Sequence, residues 1–453
     1  MNKKNYLTLL AGLGISFLGF GQNSLLSSPT TGPLPDGVIT DIELCGNGVD
    51  QVLVAACEDN KEFYIIDIDD NDWGDAAANT ITEIPDFSDV LEAAVGITNE
   101  KIANIEVNRI SKAVYVLVQN LTETESYVVK IEDNGATISV LDQSNMTYST
   151  ISWGSDPYDH QDMTWGDNTL FITSGSWSLD GAVAQVSAPF EHGTSTTNRS
   201  TSMYKTNWGG AYFTDAPLER IEFANMNGES RLMGVTVCAP GFSIETSELD
   251  GGGILEIEEL FNIRFSPPEK VVHQNQGGDH YLFDLHSPNT LIRVGEEYID
   301  GSKIGSGEFN NSVQHLRTTG GTITPGLTED QAKLYSEDFS EIAFWDDYNL
   351  LVVESDVLKL FPTGTAYSGL TEGNEVSVFV SPNPATDFVN FSVDMPNSSA
   401  QLTVYDINGK AVFNTTVQTG QNQLNIEGLA QGTYVLKLTS DDTVLYTDKL
   451  IIK

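Results

Sequence analysis

The stretch Ile102–Leu141, IANIEVNRISKAVYVLVQNLTETESYVVKIEDNGATISVL, decides the fold class. It holds four short apolar runs rich in β-branched and aromatic residues, separated by turns of Asn, Asp, Gly and Ser. Such residues suit a pleated, half-buried surface, and the turns are too frequent for helices. Four strands in about forty residues is the size of one β-propeller blade.

The same pattern extends in both directions, from Gly37 to Pro362. Gln51–Ala56 (QVLVAA), Glu62–Asp67 (EFYIID), Thr169–Thr173 (TLFIT), Leu232–Val237 (LMGVTV), His280–Leu285 (HYLFDL), Thr290–Val294 (TLIRV) and Asn349–Val353 (NLLVV) read as strands. Helical periodicity is scarce, and Glu83–Ala94 is expected to hold one short helix. The expected class is all-β, with a propeller of six to eight blades over residues 37–363. At 40–50 residues per blade, about 325 residues allow that count. Two β-sandwiches are the alternative. A Gly- and Thr-rich linker follows at 364–375. Residues 376–453 then carry seven runs that mostly alternate in and out, the pattern of a small antiparallel sandwich.

The N-terminus reads as an export address. Asn2, Lys3 and Lys4 precede an apolar run from Leu7 to Phe20, too short to span a bilayer comfortably. Gly19 and Gly21 suit a signal-peptidase site, so residues 1–21 are expected to be a cleaved signal peptide. Residues 22–36 then form a flexible lead-in.

The last unit carries the most specific motifs. Ser381-Pro382-Asn383-Pro384 opens it, Leu402-Thr-Val-Tyr-Asp-Ile-Asn408-Gly409-Lys sits at its middle, Gly432-Thr-Tyr434-Val-Leu-Lys-Leu follows, and Lys449-Leu-Ile-Ile-Lys closes the chain. Pro382 and Pro384 fix φ where the unit begins. Asn408-Gly409 is a two-residue hairpin turn, and Gly432 allows a bend before the last hairpin. In order and spacing these motifs resemble the type A C-terminal sorting domain of the type IX secretion system. The resemblance implies recognition by an outer-membrane translocon, removal of the tail by a sorting protease, and release or surface anchoring of the cargo.

Charge narrows the partners. The chain has 453 residues with 64 acidic against 22 basic, a formal net charge of -42. Such a surface repels nucleic acid and anionic membranes and attracts cations. Apart from the leader, no run is apolar enough for a membrane helix. Three cysteines remain after the leader: Cys45, Cys57 and Cys238. A Cys45–Cys57 disulfide is one possibility, although a simple hairpin turning at Gly46-Asn47-Gly48 would not set them opposite one another. Cys238, in an apolar run, reads as a buried thiol.

Candidate chemistry is scattered. All six histidines fall between positions 160 and 315, and His160, His280 and His315 are the catalytic candidates. On a strand, His280, Asp284 and His286 share a face, but His280 and His286 stand about 20 Å apart, too far for one metal. Asp67, Asp69 and Asn71 alternate in an acidic loop and are the candidate Ca²⁺ ligands, without the Gly and Glu of an EF-hand. Trp153, Tyr158, Trp165, Trp177, Tyr204, Trp208, Tyr212 and Phe213 offer rings for a sugar-stacking platform. Arg220, Arg231, Arg264, Lys270, Arg293 and Lys303 are a basic cluster for an anionic ligand. There is no Gly-x-Ser-x-Gly elbow, His-Glu-x-x-His or P-loop. The expected function is a non-catalytic module, exported or displayed at the surface, that binds a glycan or a protein. The alternatives are a polysaccharide lyase or glycosidase with a distributed site, and a surface adhesin.

Overall fold

Six strands of the computed structural model open with the same one-residue bulge. They are β1 (Ile39–Gly46), β2 (Glu100–Val107), β3 (Asp159–Gly166), β4 (Leu218–Met226), β5 (Pro268–Gln276) and β6 (Phe339–Asp346). The register to the following strand slips between Ile39 and Asp41, Ile102 and Asn104, His160 and Asp162, Leu218 and Arg220, Pro268 and Lys270, and Phe339 and Glu341. A bulge leaves one residue unpaired and increases the local twist, re-aiming the side chains that follow. The residue after the slip is polar in every case: Asp41, Asn104, Asp162, Arg220, Lys270 and Glu341. The next one is buried and apolar: Ile42, Ile105, Met163, Ile221, Val271 and Ile342.

The structure describes residues 23–452 apart from 300–331, 365–376 and shorter breaks such as 154–158, 176–180 and 206–211. The expected leader, nearly all of the linker, His315 and Cys238 lie outside the described residues.

Each of the six strands begins a sheet whose first four strands pair antiparallel; a further strand joins in parallel at Thr194–Ser195 in the first sheet and at Ile254–Glu258 in the third. The fourth strands are local in four sheets and distant in two. Met146–Ser152 returns to the first sheet after the second is complete, pairing Tyr148 with Ile66. Glu83–Ile84 completes the sixth sheet against Leu358 and Lys359. The stretch Ile102–Leu141 is a four-stranded sheet, as its sequence predicts.

The first strands touch in the order β1, β3, β4, β5, β6, β2 and back to β1. Six buried apolar clusters follow the same order, one between each pair of neighbouring sheets. Both faces of every sheet are thus covered, which is why the central runs are apolar throughout rather than alternating. Gln51–Cys57 is buried at all seven positions.

The short helix is present at Phe87–Val95 and buries Phe87 and Leu91. Asp86 makes no side-chain cap. Asp356, from the sixth sheet, takes that role: its carbonyl accepts the Phe87 N–H at 2.9 Å and its carboxylate accepts from the Ser88 N–H and Oγ, both at 2.8 Å.

The Cys45–Cys57 pairing is not observed. Both thiols are free and buried. Cys45 lies opposite Val52 and Cys57 opposite Ile39, and they sit in the apolar clusters on opposite faces of the first sheet.

All seven strands expected in the tail are present, in two sheets: Ser377–Ser381, Phe388–Asp394 and Gly420–Asn425 in one; Ser399–Asp406, Ala411–Gln418, Gly432–Ser440 and Thr443–Ile452 in the other. Val389 and Leu424 from the first share a core with Leu402, Val404, Leu436 and Leu450 from the second.

Candidate functional site

The polar residues after the bulges gather where the first strands meet. Asn104 Nδ2 donates to Asp41 Oδ1 at 2.6 Å and to the Ile42 carbonyl at 2.8 Å. Asp162 accepts the Ile221 N–H at 2.7 Å. Two residues further along, Glu43 accepts the Trp165 N–H at 3.1 Å and Thr164 the Phe223 N–H at 3.0 Å. Each side chain reaches a backbone group of a neighbouring first strand, so the bulge position locks one sheet to the next.

Two cations lie among these acids. Lys270 Nζ donates to Asn104 Oδ1 at 2.8 Å and to Glu106 Oε1 at 2.5 Å. Arg220 donates through Nε to the Glu269 carbonyl at 2.6 Å, and through Nη1 to the carbonyls of Gln161 at 3.1 Å and Glu219 at 2.7 Å. Gly234 makes this anchor possible: a Cβ there would come within 1.9 Å of the Arg220 carbonyl oxygen.

Crowding carboxylates in a half-dry space shifts their protonation. Burial pushes Asp41 up to about 6 against the pull of Lys270, and burial together with the Asp41 charge pushes Asp162 up to about 6. Glu222 and Glu341 are pushed up to about 8 by burial, and Glu43 is held well above the carboxylate range by burial and by Glu106. Burial alone would lower Lys270, but Glu106, Asp162, Asp41 and Glu43 together raise it.

A cavity of about 390 Å³ opens at the start of these strands. Thr40, Lys101, Ala103, Arg220, Glu269 and Glu341 line it from five first strands, with Glu58, Asp59, Gln119 and Glu123 from the adjoining hairpins. Lys101 pairs with Glu123 at 3.0 Å. Gln119 donates to the Ile39 carbonyl at 2.8 Å. The wall is a set of hydrogen-bonding groups of both charges, the kind that fixes the orientation of a polar ligand.

Of the candidate catalytic histidines, His160 and His280 lie in different sheets, and His315 is outside the described residues. His160 is buried, 3.6 Å from Asp41 Oδ2 and packed on Phe63 and Trp153; burial lowers its pKa to about 4. His280 lies 2.9 Å from His273. His286 and Asp284, at 2.8 Å, are wholly buried.

The acidic loop is knitted to the chain. Asp67 Oδ1 accepts from Asn23 Nδ2 and the Asp69 N–H, and Asn71 Oδ1 accepts the Gln51 N–H. These oxygens face backbone and amide donors. Among the described residues no group of three His, Cys, Asp or Glu has metal-holding geometry. The buried acid of this loop is Asp70, which accepts from Tyr115 at 2.7 Å and pairs with Lys130 at 3.3 Å.

The stacking platform is corrected in part. Trp153 is core, 5.4 Å from Phe63, and Trp165 packs on Phe190 with its Nε1 donating to the Gly46 carbonyl. The side chains of the other six rings lie outside the described residues. Of the basic cluster, Arg220 and Lys270 come to the site; Arg231 is buried against Ser243, Arg293 lies over Tyr281, and Arg264 and Lys303 are outside the described residues.

Sequence reasoning missed the ring itself. Its signal is present: an x-polar-apolar triplet recurs as Thr40-Asp41-Ile42, Ala103-Asn104-Ile105, Gln161-Asp162-Met163, Glu219-Arg220-Ile221, Glu269-Lys270-Val271 and Ser340-Glu341-Ile342. The polar member changes charge from repeat to repeat, which hides it.

In the tail, Tyr434 is buried and donates to the Ala430 carbonyl at 2.6 Å. Gly432 starts its strand opposite Ile452, and Lys449 pairs with Val435. Pro382, Asn383, Pro384, Asn408 and Gly409 lie outside the described residues.

Residues 379–453 match the family model described as a secretion system C-terminal sorting domain. The chain therefore carries a type IX sorting tail and is cargo of that system, exported to the cell surface or the extracellular space. No curated protein matches the chain in sequence. Among solved structures it is similar to Raptor from Chaetomium thermophilum, with 7% identity and TM-score 0.33 over 76% of this chain and 29% of that one. It is also similar to the plexin A4 extracellular region, with 8% identity and TM-score 0.33 over 94% of this chain and 61% of that one. BBS1N in complex with ARL6DN gives 10% identity and TM-score 0.31 over 95% of this chain and 98% of that one. The match thus spans less than two thirds of the Raptor and plexin chains. Scores this low transfer neither fold nor function.

Proposed function

We propose that residues 37–363 form a six-bladed β-propeller that works outside the cell as a glycan-binding module, delivered by the sorting tail. The cyclic contact of the six first strands supports the propeller, as do the six apolar clusters in the same order. Two sandwiches would instead give two separate cores. The observation that carries the binding reading is the cavity at the start of the first strands. Its carboxylates, amide, hydroxyl and two cations offer planar, multivalent hydrogen-bonding groups to a hydroxyl-rich ligand.

The test is retention of the full-length protein on a broad glycan array, with release of reducing ends or unsaturated products followed in parallel. Retention without product is the expected result. Retention on no glycan of the array contradicts the reading, and steady product formation replaces the binding module with an enzyme.

A further inference from the structure

We propose that the bound glycan is zwitterionic, its carboxylate held by Arg220 and a free ammonium by Glu341. This rests on the glycan reading above and names the ligand class of the same cavity.

Arg220 is an anion receptor already built. Three backbone carbonyls hold its Nε and Nη1, so the guanidinium plane is fixed before any ligand arrives. Among the described residues it has no carboxylate partner, and its Nη2 makes no hydrogen bond, although it lies in the cavity wall. Those three bonds use every Nε and Nη1 hydrogen, so the two N–H groups of Nη2 are the donors left for a carboxylate, on a guanidinium already held in place.

Glu341 is the complementary group. It lies in the same wall and has neither a hydrogen bond nor an ion pair among the described residues. Burial and the neighbouring Glu269 disfavour its charge, while Lys270, Lys101 and Arg220 favour it from a distance. A ligand ammonium beside it would act in the same sense at contact range. Arg220 and Glu341 make no ion pair with one another among the described residues, and β5, with Lys270, lies between their strands.

Electrostatics exclude the simpler ligands. A purely anionic sugar would meet Arg220 but also Glu58, Asp59, Glu269 and Glu341. A purely cationic one would leave the Arg220 guanidinium facing it without a partner. A sugar acid bearing a free amine answers both groups, and the cavity falls in the range of small-ligand pockets.

The test uses the full chain and four probes in titration calorimetry: a glucuronate–glucosamine oligosaccharide with free amines, its N-acetylated form, glucosamine oligomers and glucose oligomers. The first is expected to bind about tenfold more tightly than each of the others. Glu341→Gln should reduce its advantage over the N-acetylated form to less than about threefold. Arg220→Gln should do the same against glucosamine oligomers. Arg220 also anchors three carbonyls, so its variant is checked by thermal melting; Glu341→Gln breaks no contact and carries the test if Arg220→Gln fails to fold. Equal binding of the four probes, or tightest binding of any of the other three, overturns the zwitterion and leaves the glycan reading standing. No binding of the four, with another glycan retained on the array, does the same. Retention of no glycan at all overturns both.

Discussion

Lys270 Nζ reaches Glu106 Oε1 at 2.5 Å, although β6 lies between their strands in the cycle of contacts. The same ammonium binds Asn104 Oδ1, and Asn104 in turn donates to Asp41. One side chain thus ties β5 to β2 and, through Asn104, to β1. It also supplies positive charge to a space shared by Asp41, Glu43, Glu106 and Asp162.

Replacing Lys270 by Met should therefore be costly. Glu106 would be left half-buried without its cation, and unpaired charge of that kind destabilises strongly. Partial exposure reduces the effect to about 2 kcal/mol. Chemical denaturation at pH 7 checks it; a midpoint equal to wild type would show that the ammonium does not tie the strands.

Glu222 gives a pH signature of definite sign. Its carboxyl ordinarily titrates near 4.5 and is pushed up to about 8 in the fold by burial. Between those values the folded chain holds a proton that the unfolded chain has released, so this group makes stability fall as pH rises. Glu222→Gln keeps the shape and removes the charge. Its unfolding free energy should match wild type near pH 5 and exceed it increasingly up to pH 9, by roughly 1–3 kcal/mol at the end. A constant offset across that range would contradict the placement.

Asp356 caps a helix from another sheet. Asp356→Ala keeps the carbonyl that accepts from Phe87 but removes the carboxylate that accepts from the Ser88 N–H and Oγ, and should cost about 1 kcal/mol. Because Glu83–Ile84 pairs with Leu358 and Lys359 just beyond, amide exchange should quicken in both segments together. Protection lost in the helix alone would show that the two segments open independently.

Gly234 should tolerate no side chain. Gly234→Ala places a methyl against the Arg220 carbonyl, so the Arg220 anchor must move. A loss of about 2 kcal/mol or more is expected, together with weakened ligand binding. Wild-type melting and binding would mean that the backbone there has room.

Much of this fold is legible in the sequence, and the reasons are physical. The seven tail strands read cleanly because they mostly alternate and are set off by turn residues such as Gly432. The sheet at Ile102–Leu141 reads because β-branched runs covered on both faces are continuous and short. The bulges were not legible, since Thr40, Ala103, Gln161, Glu219, Glu269 and Ser340 share no chemistry; their common property is being left out of the register. Nor could the sequence show that the sixth sheet borrows Glu83–Ile84, because that pairing joins segments far apart in the chain. The histidines form one candidate set in the sequence because all six fall between positions 160 and 315, while the fold gives His160 and His280 different neighbours.

The most direct test fills the cavity. Ala103, the unpaired bulge residue of β2, lines the space beside Arg220 and Glu341. Ala103→Trp in the full chain, with folding checked by thermal melting because Ala103 also packs on the core beside it, should abolish retention on whichever glycan the wild type binds. Undiminished retention by a folded Ala103→Trp protein would contradict the account and place the binding surface elsewhere.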